Sequence, residues 1–154
     1  MAYEIDPYVS AGALRFGMTP DEVHQVLGTA RFSRRDQGRL REMHGIGGPA
    51  LTFTGTDNEL RLVEIGFAKA AGEVSYGGIN LFAGERRAIV RQLCALDPAP
   101  KDVAGTIVLT KLGISLTGFD TGPEESLAVT AFAPGRWDEQ IARAASFDMG
   151  QSRT

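Results

Sequence analysis

Gly12-Ala-Leu-Arg-Phe-Gly-Met-Thr-Pro-Asp-Glu-Val-His-Gln-Val-Leu-Gly28 carries the start, the inward face and the stop of one short helix. Thr19 is a suitable N-cap, because its hydroxyl can accept an N–H from the open helix end. Pro20 fits the first helical position, where no backbone donor is needed. Glu22 follows Thr19 by three residues, which is the spacing of a capping box, and Met18 is placed to pack on Val23 as a hydrophobic staple. Gly28 then ends the helix. The stretch supplies no nucleophile, metal cage or phosphate cradle, so it is architectural.

Working outward, a shift of 67 residues aligns Leu14 with Leu81, Gly17 with Gly84, Val23 with Val90, Gln25 with Gln92 and Leu60 with Leu127. No gap is needed, and the period exceeds that of the common solenoids. This predicts a single compact unit over 1–154 made of two repeats, about 12–67 and 79–134. Each repeat reads as a helix followed by strands. The first has a helix over Pro20–Leu27 and strands near Leu40–Gly45, Ala50–Gly55 and Leu60–Ala68. The second has a helix over Glu85–Leu96 and strands over Val103–Thr110, Ile114–Thr117 and Ser126–Phe132. Short helices followed by adjacent strands indicate an α+β fold, a tandem helix-plus-antiparallel-sheet repeat in layers. A last helix is expected over 136–147, with Gln151–Thr154 frayed.

Composition narrows the function classes. The chain has 154 residues, 43% hydrophobic and 23% charged, with a formal net charge of -3. Eight basic residues lie up to Gly77 and eight after it, against ten and nine acidic ones, so neither half has the basic footprint of a nucleic-acid binder. No window approaches the roughly 18 apolar residues of a membrane span. Met1–Ser10 lacks the basic start and apolar centre of a signal peptide. The lone Cys94 excludes an internal disulfide, and a cytoplasmic setting is expected.

The candidates for chemistry are few. His24 lies off the Val23/Val26/Leu27 face and reads as a rim residue, while His44 borders the turn Gly45-Ile-Gly-Gly-Pro49. Two histidines and one cysteine show no local ligand spacing, so no metal and no cofactor are expected. The Gly45–Gly48 run lacks the Lys-Ser/Thr and following helix of a phosphate loop. Cys94 reads as a small hydrophobe, and no Ser has a nucleophile elbow around it. No catalytic residues are assigned, and the chain is expected not to be an enzyme.

One cluster stands out. Arg31, Arg34, Arg35, Arg39 and Arg41 fall within eleven residues, beside Phe32. A solvated edge explains such charges, since charged edges discourage sheet-to-sheet aggregation. The functional reading is a patch for an acidic partner, because arginine grips carboxylates with two donors. Phe32, Arg34, Arg35, Arg39 and Arg41 are the candidate partner-binding residues, with Asp120–Glu125 as the opposite, acidic candidate surface.

Leu14-Arg-Phe-Gly-Met-Thr-Pro-Asp-Glu-Val23 with Val26-Leu-Gly28 resembles the helix-start motif of the BamE-like and β-lactamase-inhibitory-protein-like group. Tyr3-Glu-Ile-Asp-Pro-Tyr8 and Phe132-Ala-Pro-Gly135 are similar to segments of uncharacterised bacterial proteins with that organisation. The resemblance implies a tandem binding scaffold. The chain departs from the group in lacking a lipid-attachment cysteine, internal disulfides and a second Met-Thr-Pro cap. The expected function is therefore a non-enzymatic protein-binding scaffold, of immunity or inhibitory type. A small-ligand-binding or regulatory domain with a pocket between helix and sheet is the alternative. An enzyme with dispersed residues, using His44 and an acid, comes third.

Overall fold

The computed structural model describes residues 2–56, 58–120, 122–123 and 126–148. The chain runs β1 (Ala2–Asp6), β2 (Ser10–Ala11), β3 (Leu14–Arg15), α1 (Pro20–Leu27), β4 (Phe32–Asp36), β5 (Arg39–Met43), β6 (Ala50–Thr54) and β7 (Arg61–Ala68). After a single 3-10 turn at Lys69–Ala71 come β8 (Glu73–Tyr76), β9 (Ile79–Asn80), α2 (Arg86–Leu96), β10 (Pro100–Val103) and β11 (Thr106–Leu109). The chain then continues through β12 (Ile114–Thr117), β13 (Ala128–Phe132), α3 (Asp138–Arg143) and β14 (Ala145–Ser146).

These strands form two sheets, of nine strands in the order β14-β10-β11-β12-β13-β7-β6-β5-β4 and of five in the order β3-β2-β1-β8-β9. The large sheet is antiparallel throughout, and its middle pair, β7 and β13, matches Ile65 with Ala131. The small sheet contains one parallel pair, in which Tyr3 of β1 lies beside Val74 of β8.

This corrects the expected α+β repeat. The molecule is mostly β, about 40% strand against 20% helix, and is not a helix-plus-sheet repeat. The reason lies in the segments that read as lead-ins to the helices. Residues 2–15 and 73–80 instead pair with each other as a separate sheet. The helices are short, and α3 buries no residue.

Three local corrections follow from the same competition between backbone pairing and pattern. The single strand expected over Val103–Thr110 is a hairpin. It turns at Ala104 (φ 52°) and Gly105 (φ 89°), the two positive values that a tight two-residue hairpin turn requires. The last helix stops at Arg143 because Ala145 and Ser146 pair with β10, and Phe147, buried, donates its N–H to Pro100. Along Leu60–Ala68 the strand's period of two breaks: Leu60, Leu62, Ile65 and Phe67 are the buried positions. A bulge at Thr52/Phe53 shifts the register by one, so Phe53 faces Leu62 while Leu51 faces Ile65.

The start of α1 forms as its sequence dictates. The Glu22 N–H donates to Thr19 Oγ1 at 3.2 Å, and the Thr19 N–H donates to Glu22 Oε1 at 3.0 Å. The Thr19 N–H first, and then the Thr19 hydroxyl, which donates to Glu22 Oε1 at 3.2 Å, hold the Glu22 carboxyl below the usual glutamate range. The support from Glu22 is therefore present at neutral pH and fades as pH falls through that lowered value. Thr19→Ala is expected to cost about 1 kcal/mol, read as a lower urea midpoint at unchanged slope. An unmoved midpoint would show that the cap contributes nothing.

One hydrophobic cluster unites the layers. Leu14 from β3, Val23 from α1, Val90 and Leu93 from α2, and Phe53, Leu62, Ile65, Ile114 and Val129 from the large sheet all lie within it, fully buried. Phe53 alone is expected to cost about 3–5 kcal/mol when cut to alanine, because a well-packed core does not close the void.

Candidate functional site

Strand β4 ends the large sheet, and all five of its residues are exposed. Its register against β5 decides what it presents: Phe32 faces Met43, Arg34 faces Arg41 and Asp36 faces Arg39. Since side chains alternate along a strand, these six share one face of the sheet. Four of the five predicted residues, Phe32, Arg34, Arg39 and Arg41, therefore stand together. Arg35 is opposite Leu40 and turns to the other face.

Phe32 is 66% exposed, an unusual state for a large aromatic on a sheet. It borders a groove of about 170 Å³ with Arg34, Arg41, Met43 and Ala50. Arg39 is drawn to Asp36 at 3.5 Å, and Arg34 reaches the same carboxylate at 3.7 Å. Arg41 makes no ion pair among the described residues. Two arginines directly across a ladder repel, which destabilises a pair by about 0.2–1 kcal/mol. Ile46, on the turn between β5 and β6, is also an exposed large apolar residue, at 75%.

Of the acids in the opposite candidate surface, Asp120–Glu125, only Asp120 is among the described residues. Asp120 is an interior strut: its Oδ1 accepts from Arg87 Nη1 at 2.9 Å, and its side chain is only 7% exposed. Arg86 donates to the Gly118 and Gly122 carbonyls at 2.8 and 2.6 Å, so the start of α2 is tied to this loop. Thr121, Glu124 and Glu125, and likewise Gln151–Thr154, lie outside the described residues.

The other face of β5 carries an arrangement that local spacing could not show. The buried row across the large sheet reads Glu42, Leu51, Ile65, Ala131, Ile114 and Leu109. A carboxylate at 5% exposure closes an otherwise apolar buried row, with exposed Ser33 of β4 on its other side. It is met by both histidines. His24 Nε2 lies 3.0 and 2.9 Å from the two carboxylate oxygens, and His44 Nε2 lies 2.8 Å from Oε1. His44 is buried, with its Nδ1 unpartnered among the described residues, whereas the His24 side chain is 34% exposed. His24, partly exposed, keeps the rim position read for it and points its Nε2 at Glu42, while His44 next to the glycine-rich turn lies inside the fold.

The remaining sequence candidates resolve simply. Cys94 is half-buried on α2, and burial first, then the nearby Asp97, pushes its thiol pKa up, which opposes thiolate formation. The Gly45–Pro49 turn presses on β7, where the Gly47 carbonyl accepts the Ala68 N–H at 2.7 Å, so it holds the fold rather than a phosphate. None of the described helices is long and apolar enough to cross a membrane. No family model matches the chain, and comparison with curated proteins and with solved structures gives no match.

Proposed function

We propose that the chain is a protein-binding scaffold that works by contact, and that it receives an extended acidic segment of another protein along β4. The observation that carries this is the face built by Phe32, Arg34, Arg41 and Met43 on an uncovered sheet edge. An open edge adds a strand through main-chain hydrogen bonds, while alternate side chains select the sequence. The Arg34–Arg41 juxtaposition costs stability in the free chain and is relieved by an anion between them. Phe32 supplies the apolar anchor. The groove of about 170 Å³ falls below the roughly 300–1,000 Å³ of small-molecule sites and suits a single partner side chain. An immunity or inhibitory role is what the BamE-like and inhibitory-protein resemblance adds, and a reducing, cytoplasmic setting agrees with the single cysteine.

The test pairs stability with binding. Arg41→Glu replaces a repelling cross-strand pair with an attracting one, so unfolding stability is expected to rise by about 0.2–1 kcal/mol. Affinity for a partner captured by pull-down is expected to fall at least tenfold, with association by the native chain slowing as salt rises. Unchanged affinity for the Arg41→Glu chain, with salt-independent association, would remove β4 and its arginines from the binding surface.

A further inference from the structure

We propose that His24, Glu42 and His44 form a site for one divalent transition-metal ion, zinc by its donor chemistry. The ligands would be the two Nε2 atoms and the Glu42 carboxylate. The three donor atoms lie within 4.8 Å of one another, and both rings present the same nitrogen to the same carboxylate. Two imidazoles with one carboxylate suit zinc and its neighbours, whereas magnesium and calcium prefer all-oxygen sets.

The two His–Glu dimensions are close to those of a zinc site, and the two histidine nitrogens lie within 4.8 Å of each other. Tetrahedral zinc with bonds of about 2.0–2.1 Å places its donors roughly 3.3–3.4 Å apart. The observed His–Glu separations of 2.8–3.0 Å need to open by only a few tenths of an ångström. His24 can give that movement, since its ring is partly exposed. The same exposure provides an entry path and leaves the fourth position to water, the arrangement of a three-ligand zinc site.

The scaffold supports a cation there. Glu42 and His44 are two apart along β5 and its continuation, so they share a face. His24 sits in the last turn of α1, where the helix dipole favours positive charge. A buried carboxylate in an apolar row gains more from a divalent cation than an exposed one does, because the surroundings screen the attraction less. The cluster lies on the side of β5 opposite Arg39 and Arg41, so this inference does not rest on the docking face.

The test is zinc titration of the untagged, chelator-treated full chain by calorimetry, with imidazole nitrogen NMR alongside. One equivalent is expected to bind at micromolar or lower concentration. The chain has only two histidines, so both ring systems can be followed without mutation. The Nε2 resonances of both are expected to move on zinc addition. His24→Ala is expected to weaken binding at least about 100-fold, no less than the loss of a ligand's supporting partner can cost. Glu42→Gln, which keeps shape and removes charge, is expected to weaken it as well. Absence of saturable binding, or binding that leaves both imidazoles unshifted, would overturn the site and leave the cluster as a hydrogen-bonded buried carboxylate.

Discussion

Asp97→Ala is expected to cost about 4 kcal/mol, because it strips the acceptor from three backbone N–H groups at once. Asp97 caps the end of α2 and is fully buried. Its Oδ1 accepts from Ala99 N at 3.0 Å, and its Oδ2 accepts from Lys111 N at 2.8 Å and Leu112 N at 3.2 Å. One side chain therefore joins the helix end to the turn between β11 and β12. That turn is also gripped from the far side, where the Tyr8 hydroxyl donates to the Thr110 carbonyl. Relief of the carboxylate's burial offsets only part of the loss, since the donors remain inside without a partner. A chain of this size loses roughly 2–4 °C in Tm per kcal/mol, so a fall of about 8–16 °C is expected. Asp97→Asn recovers little, because its amide NH2 must face an N–H that now lacks an acceptor. A thermal midpoint within 2–3 °C of the native chain, roughly 1 kcal/mol, would contradict this reading.

The second large effect is expected at Gly48. Its φ of 109° already disfavours any other residue, and an added Cβ would stand 2.7 Å from the Gly66 carbonyl oxygen and 3.0 Å from Ala50 N. Both obstacles are backbone atoms within the β6–β7 ladder, so neither can swing aside. Gly48→Ala adds backbone strain of about 1–3 kcal/mol to a clash of similar size, for an expected loss of about 3–5 kcal/mol. Denaturant unfolding with an unchanged midpoint would show that the turn can lift off β7. The same turn carries His44 into place, through its N–H to the Pro49 carbonyl at 3.0 Å. Loosening the turn should therefore weaken zinc binding as well as stability.

What could be read beforehand follows the range of the interactions. The cap of α1 is written in four adjacent residues, and the inward face of α2, Ile89, Val90 and Leu93, in one period. The cap forms as its spacing predicts, and the three α2 positions are buried. The small sheet was not legible, because β2, β3 and β9 are two residues long and carry no alternation. The hairpin at Ala104–Gly105 was hidden by an Ala where such turns usually place Asn or Asp. The arginine cluster was visible, but only the β4–β5 register shows that Arg34 opposes Arg41 while Arg35 turns away. The His–Glu cluster was missed for a different reason. Its members lie 18 and 2 residues apart and belong to a helix and a strand, so no ligand spacing marks them. In the sequence Glu42 follows Arg41 and reads as a charge that offsets the arginines. The sign that could have found it is its place two residues after Leu40 on the inward face of a strand.

The docking face is tested most directly by amide hydrogen exchange, comparing the free chain with its complex with the captured partner. The account predicts new protection across 32–36, the open edge of the large sheet, with little change along β14 at the far edge. Protection confined to other strands, with β4 exchanging as it does in the free chain, would contradict it.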